Sequence, residues 1–170
     1  MERGGNKGEF MKKIIVISDT HGNSNGVQSL RPLVAENDYL IHLGDGSGDI
    51  RAFWQEFPDK IYQCRGNCDF FSPLPDEDVI EIENIRIFYC HGHKYGVKSG
   101  LSALLAETKK RNCDIALYGH THVPKITEMD GVTLINPGSL RRPVGEGGGY
   151  CYLVIHKENV TPVLVGESVF

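Results

Sequence analysis

The sequence predicts an α/β protein, a four-layer αββα sandwich in which two mixed β-sheets pack together and are flanked by helices. The first half alternates short apolar runs with helix-like stretches, a rhythm typical of βαβ units and parallel strands. Beyond residue 125 the pattern changes to strands separated by turn residues. The chain has 170 residues, of which 40% are hydrophobic and 24% charged, as expected for a globular domain with one substantial core.

The first half is predicted to contain three buried strands with helices between them. The strands cover residues 13–18, 39–43 and 61–64, and their runs IIVIS and YLIHL contain few polar positions. Strands buried on both faces have this composition. The stretches 27–35 and 50–57 are predicted as the intervening helices.

The second half begins with a predicted hairpin, whose strands cover residues 79–82 and 85–90 on either side of a two-residue turn. Leucines at positions 101, 104 and 105 predict a helix over residues 101–110, which ends in basic residues. A buried strand over 114–118 follows. The remaining predicted strands cover residues 125–128, 132–135, 150–156 and 160–164.

The composition excludes several classes of protein. Residues 1–10 are polar and Gly-rich, so we expect a non-native remnant or a disordered extension, with a single domain over residues 11–170. The longest apolar runs fall far short of the roughly 20 residues that span a bilayer. Residues 1–10 also lack the pattern of a secretory signal, so we expect a cytoplasmic protein. A net charge of −4 gives no strong indication of nucleic-acid binding, and the five cysteines suggest no disulfide framework.

Candidate metal ligands follow the predicted strands, at the point where each strand ends. The carboxyl ends of strands line the ligand crevice of open α/β folds, so we expect these side chains to meet at one rim. Carboxylate, imidazole and one amide, without thiolate, suit Mn, Fe, Ni or Zn rather than calcium. The candidates are Asp19, His21, Asp45, Asn67, His91, His120 and His122.

Five sequence blocks carry a resemblance to a known family. SDTHGN, LGDG, RGNCD, HGH and GHTH occur in this order between Ser18 and His122, and the later NPGS is also similar. The set resembles the signature blocks of calcineurin-like metallophosphoesterases, most closely the small YfcE-like phosphodiesterases. The resemblance implies a dinuclear centre with Mn²⁺ favoured, and with Ni²⁺, Fe²⁺, Zn²⁺ or Mg²⁺ as alternatives.

The resemblance also assigns roles to the ligands. It places Asp45 as a bridge between two metals, which would otherwise be held by separate sets of ligands. The excess positive charge of two divalent ions attracts an anionic phosphate and lowers the pKa of a bridging water. This implies in-line attack of a metal-bridging hydroxide on phosphorus. The first metal would be held by Asp19, His21 and His122, and the second by Asn67, His91 and His120.

One position departs from much of the superfamily, where a histidine follows the asparagine ligand and helps to protonate the leaving group. Here that residue is Cys68, as is common in the YfcE-like group, and a neutral thiol with a pKa near 8.5 is a weak acid. Asp69 is expected to orient the neighbouring loop or a ligand histidine. His93 is a candidate for contact with phosphate. The residues expected to serve catalysis are therefore Asp45, Asn67, His91, Cys68, Asp69 and His93.

Three functions remain open. The leading hypothesis is a metal-dependent phosphodiesterase that acts on a small or nucleotide-like phosphoester. A phosphomonoesterase or nuclease could use the same site, because specificity depends on the loops around it. The third is a non-catalytic interaction scaffold of the retromer-subunit type, which has no need for four coordinating histidines. Homo-oligomerisation is also left open.

Overall fold

A computed structural model describes residues 11–166, so the expectation for residues 1–10 lies outside the described part. The strands are β1 (Lys12–Ile17), β2 (Tyr39–His42), β3 (Ile61–Gln63), β4 (Glu77–Ile82), β5 (Ile85–Cys90), β6 (Ile115–Leu117), β7 (Lys125–Met129), β8 (Val132–Asn136), β9 (Tyr150–His156) and β10 (Asn159–Val165). The helices are α1 (Ser24–Ser29), α2 (Arg31–Glu36), α3 (Arg51–Glu56) and α4 (Ser102–Lys110). Short 3₁₀ turns cover Ser47–Ile50 and His93–Tyr95.

The strands form two five-stranded sheets, and both sheets are mixed as predicted. The first has the order β10-β9-β1-β2-β3, with β1, β2 and β3 parallel, β9 antiparallel to β1, and β10 antiparallel to β9. The second has the order β4-β5-β6-β8-β7, in which β5, β6 and β8 are parallel and both edge strands are antiparallel. The predicted fold class is therefore confirmed.

Three apolar layers separate the four layers of secondary structure. Side chains alternate along a strand, so Ile14 and Val16 of β1 face the second sheet while Ile15 and Ile17 face the helices. Burying one such side chain contributes about 1.5–3 kcal/mol. The layer between the sheets includes Ile14, Val16, Ile41, Ile87, Tyr89, Ile115 and Leu117. The outer layers include Val27, Val34 and Phe53 on the first sheet, and Leu104 and Leu105 on the second.

The prediction of one helix over residues 27–35 is wrong, because two short helices occupy this stretch. Helix α1 ends at Ser29 and α2 begins at Arg31, with Pro32 in its first turn. Proline has no N–H group and its ring clashes with the preceding turn, so a helix cannot run through it undisturbed.

Two further observations concern the cysteines and the lengths of the helices. All five cysteines are free, with Cys68 exposed and the others buried. Across residues 11–166, no helix combines the length and the apolar character needed to cross a membrane.

Candidate metal centre

The first cluster of candidate ligands joins the end of β1 to the loop after β6. One ligand atom from each of Asp19, His21 and His122 lies within 4.8 Å of the others. Asp19 Oδ1 is 3.1 Å from His122 Nε2 and 3.6 Å from His21 Nε2. Asp19 Oδ2 accepts hydrogen bonds from the Ser18 hydroxyl at 2.6 Å and from the backbone amide of His120 at 3.0 Å. One carboxylate oxygen is thus held by the fold, and the other faces the imidazoles.

The second cluster gathers Asp45, His91 and His120 within the same 4.8 Å limit. Asp45 Oδ2 is 3.3 Å from His91 Nε2 and 3.8 Å from His21 Nε2, so this carboxylate lies between the two clusters. Asp45 Oδ1 accepts a hydrogen bond from the amide of Cys68 at 2.8 Å. Burial alone would raise the pKa of Asp45, but the hydrogen bonds with His91 and Cys68 outweigh it and hold the pKa well below its usual range.

The His91 ring is oriented by the end of β2. Its Nδ1 lies 2.8 Å from the carbonyl oxygen of Leu43, which can only accept, so Nδ1 carries the proton. This tautomer directs the lone pair of Nε2 into the site, as in metal-ligating histidines held by a backbone carbonyl. Burial lowers the pKa of His91, yet the carboxylates of Asp45 and Asp19 overcome this effect and raise it. A cation that bound here would therefore compete with a proton for Nε2.

Four buried side-chain atoms lack a hydrogen-bond partner among the described residues, and two of them, Asp19 Oδ1 and His91 Nε2, belong to candidate ligands. They lie 3.8 Å apart at the centre of the two clusters. A buried polar atom without a partner costs free energy, and native proteins seldom leave one unexplained. A divalent cation accepts both a carboxylate oxygen and an imidazole nitrogen. The donor set therefore fits a metal.

The backbone is unusual at most of the candidate ligands. Residues other than glycine rarely adopt a left-handed conformation, although aspartate and histidine are enriched among those that do. Such conformations cost about 1–3 kcal/mol each, and they cluster at functional sites. Positive φ angles occur at Asp19 (53°), His21 (43°), Asp45 (58°), His120 (70°) and His122 (62°).

Asp69 binds the loop that carries Asp45. Its carboxylate accepts backbone hydrogen bonds of 2.8–3.1 Å from the amides of Asp45, Gly46, Ser47 and Gly66. Burial raises the pKa of Asp69, but these amides outweigh burial and lower it. The sequence predicts that Asp69 orients either the neighbouring loop or a ligand histidine. The hydrogen bonds that the structure contains are those that orient the loop.

Asn67 and Cys68 lie at the exposed margin of the site. Asn67 Nδ2 donates to Cys68 Sγ at 3.5 Å, and Cys68 Sγ lies within 4.8 Å of ligand atoms of His21 and Asp45. Burial and the Asp45 carboxylate raise the pKa of this thiol. The preceding Gly66 permits close approach of this loop, since a Cβ at that position would collide with the Asp45 carboxylate.

His93 lies beside the second cluster. Its ring centroid is 5.5 Å from that of His91 and 6.1 Å from that of His120. Its Nδ1 is buried and has no hydrogen-bond partner in the described part of the chain. His93 also lines an open cleft of about 300 Å³ next to Asn67. The structure therefore brings His93 to the site, on the side where this cleft opens.

Sequence reasoning missed residues that hold the Asp19 loop. Asp49 Oδ2 accepts hydrogen bonds from the Thr20 hydroxyl at 2.6 Å and from the Gly22 amide at 2.8 Å. Ser139, within the NPGS block, donates its hydroxyl to the carbonyl oxygen of Asp19 at 2.8 Å. The NPGS block indicated that the segment containing Ser139 is part of the family's signature. It did not identify Asp19 as the residue that Ser139 contacts.

The αββα sandwich and its clustered imidazoles and carboxylates are those of a metallophosphoesterase. The chain belongs to the calcineurin-like phosphoesterase superfamily, whose domain model matches residues 11–159. It is 29% identical over 150 residues to the probable metallophosphoesterase YsnB of Bacillus subtilis, covering 87% of each chain. It is 28% identical over 160 residues to the phosphodiesterase YfcE of Escherichia coli, covering 79% of this chain and 83% of YfcE.

Solved structures show the same fold. A conserved uncharacterized protein of Streptococcus pneumoniae, described as a predicted phosphoesterase, superposes with a TM-score of 0.78 and 27% identity, covering 92% of this chain and 90% of that one. Vps29 of Entamoeba histolytica in complex with Zn²⁺ has a TM-score of 0.72 and 22% identity, covering 90% and 98%. The second likeness concerns the fold alone.

Proposed function

We propose that this phosphoesterase is a dinuclear metal-dependent phosphodiesterase that hydrolyses a small or nucleotide-like phosphoester. The observation that carries the proposal is the pair of buried, unpartnered atoms Asp19 Oδ1 and His91 Nε2, 3.8 Å apart among further carboxylate and imidazole groups. The relationship to a named phosphodiesterase, YfcE, supports the choice of a diester.

Two sets of residues would hold the metals. Asp45 would contact both ions, and its position between His21 and His91 supports this role. When bound, the ions supply Lewis acidity toward the phosphoryl oxygens and make a hydroxide nucleophile available near neutral pH. One set comprises Asp19, His21 and His122, and the other comprises Asn67, His91 and His120.

The remaining candidates would act on the substrate or on the loops. His93 lines the cleft beside Asn67, so its ring would contact a phosphoester that enters there. Cys68 is close to Asp45 but its thiol is a weak proton donor, so we assign it little of the protonation of the leaving group. Asp69 would act through Asp45 by fixing its loop.

Mn²⁺ is the metal we propose, because the expected donors are imidazole nitrogens and carboxylate or amide oxygens without thiolate. Ni²⁺, Fe²⁺, Zn²⁺ and Mg²⁺ remain alternatives. The surplus positive charge of two divalent ions over two carboxylates would attract the substrate phosphate.

Metal analysis combined with turnover tests the proposal. The purified protein should bind about two divalent ions, lose hydrolysis of bis(p-nitrophenyl) phosphate after chelation, and recover it with Mn²⁺. A panel of monoesters and nucleic acids, assayed beside the diester, compares the alternative activities. Absence of metal-dependent turnover on every phosphoester would contradict the proposal and favour the scaffold hypothesis.

A further inference from the structure

Two adjacent phenylalanines are exposed directly after the candidate site. Phe70 is 77% exposed and Phe71 is fully exposed, although both follow Cys68 within three residues. Single exposed apolar residues need no explanation, but an exposed aromatic pair at the margin of a site indicates contact with a ligand or partner.

The loop that presents these rings is anchored. The Asp69 carboxylate binds the Asp45 loop, the Asp69 amide donates to the Gly66 carbonyl at 3.2 Å, and the Ser72 amide donates to the Asp69 carbonyl at 3.2 Å. The backbone on both sides of the aromatic pair is therefore held against the candidate site. These contacts fix the position of the Phe70 backbone relative to the candidate ligands.

Phe70 lines two clefts, and Phe71 lines the second of them. Phe70 lines the cleft of about 300 Å³ that also contains Asn67 and His93. Phe71 lines a separate cleft with Trp54 and Arg51, to which Phe70 also contributes. Only Phe70 is thus continuous with the candidate metal centre, and Phe71 provides a matched aromatic residue outside it.

In the remaining wall of the Phe70 cleft, two cations share one carboxylate. Asp76 accepts from Arg65 Nε at 2.7 Å and from Lys94 Nζ at 2.5 Å. The hydrogen bond from Arg65, followed by that from Lys94, lowers the pKa of Asp76 to about 2. Each cation is therefore already engaged with the carboxylate, and the exposed ring of Phe70 is the large apolar surface that this cleft offers to a ligand.

We propose that Phe70 is a specificity-determining residue that stacks on a planar aromatic group of the phosphoester, of the kind a nucleobase or phenyl ring supplies. This rests on the proposed function, because the phosphate must lie at the metal centre for its substituent to reach the cleft beside Asn67. A cleft of about 300 Å³ is of the size that binds small organic groups. Stacking on an aromatic side chain strengthens binding roughly 5- to 150-fold per ring.

Three phosphonates that differ in one substituent test the inference. Phenyl-, cyclohexyl- and methylphosphonate are titrated as inhibitors of bis(p-nitrophenyl) phosphate hydrolysis by the Mn²⁺-loaded protein. The wild type should prefer phenyl over methyl by roughly 5- to 150-fold, with cyclohexyl weaker than phenyl. Phe70→Ala should abolish the preference, and Phe71→Ala should retain it.

Several outcomes would overturn the inference. These are equal inhibition by phenyl- and methylphosphonate, an unchanged preference in Phe70→Ala, or equal binding of the phenyl and cyclohexyl compounds. Calorimetric titration of the same phosphonates with Mn²⁺ present measures the preference even without turnover. A wild type that hydrolyses nothing contradicts the proposed function, whereas a preference independent of Phe70 contradicts this inference alone.

Discussion

The carboxylates of Asp45 and Asp69 each accept a hydrogen bond from the backbone of the loop that carries the other. The amide of Asp45 donates to Asp69 Oδ2 at 2.8 Å, and Asp45 Oδ1 accepts from the amide of Cys68, the residue before Asp69, at 2.8 Å. The loops after β2 and β3 are thus linked in both directions. The orientation of the Asp45 carboxylate therefore depends on a second carboxylate that need not contact a metal.

We predict that Asp69→Asn weakens metal binding by about 10- to 100-fold, the usual effect of removing a group that orients a ligand. An amide nitrogen cannot accept the hydrogen bonds that one Asp69 oxygen now receives from backbone amides. Calorimetric titration with Mn²⁺ measures the change. Asp59→Asn, at an exposed aspartate that takes part in none of these hydrogen bonds, is the control, and equal affinities in both variants would contradict the prediction.

Asp45→Ala should reduce metal content more than Asn67→Ala. Asp45 lies between both clusters and carries charge, whereas Asn67 is exposed and would supply one neutral oxygen. Elemental analysis of the variants after loading and dialysis gives the stoichiometry. The same metal content in wild type and Asp45→Ala would refute the bridging role.

The rate of hydrolysis should depend steeply on the leaving group. A positioned general acid typically contributes 10²- to 10⁴-fold, and the raised pKa of Cys68 leaves its thiol a poor donor. Aryl phosphodiesters should therefore react far faster than alkyl ones. Cys68→Ser should change the slope little, and Cys68→His should flatten it if the ring is accommodated. The measurement is kcat/KM across substituted phenyl and alkyl diesters.

Two outcomes of this series would identify a different proton donor or a direct role for Cys68. A shallow slope in the wild type would mean that another group protonates the leaving group, and His93 is the first residue to substitute. A large loss of activity in Cys68→Ser would instead show that the thiol takes part directly.

His42 should remain neutral far below the usual range for histidine. Burial lowers its pKa to about 4, while its Nδ1 accepts from the Gly44 amide at 3.0 Å and its Nε2 lies 3.1 Å from the Thr20 hydroxyl. The unfolded chain takes up a proton near pH 6.5 and the native state only near pH 4. The free energy of unfolding should therefore decrease as the pH falls through this window.

Ring-nitrogen NMR and denaturant unfolding at several pH values test the behaviour of His42. The ring should titrate near pH 4, and His42→Gln, which cannot titrate, should lose part of the pH dependence of stability. Titration of the wild-type ring near pH 6.5 would contradict the prediction.

Local patterns account for what the sequence predicts well. Apolar runs of strand length, with turn residues between them, are set by neighbouring residues, so the two mixed sheets follow from the order of elements. The polar residues that end each strand are likewise visible in sequence, and the structure gathers six of the seven candidates into two groups. Their roles as ligands remain a prediction.

Local patterns fail where a contact is distant in sequence. The break at Pro32 was readable from proline chemistry, yet the apolar spacing around it favoured one helix. No pattern near Asp49 indicates that its partner is Thr20, 29 residues away. The left-handed backbone at the candidate ligands is likewise set by surrounding structure, since neither aspartate nor histidine prefers it strongly.

The sequence by itself determined the class of fold, the family and the chemical character of the site, because these depend on composition, periodicity and ordered motifs. The tertiary structure decided which oxygen of Asp19 is held and which faces the imidazoles, and that Asp69 supports Asp45. It also decided that Phe70 shares a cleft with Asn67 while Phe71 does not. Such relations arise only when separate loops pack together, because hydrogen bonds and clefts depend on distances that the chain order does not specify.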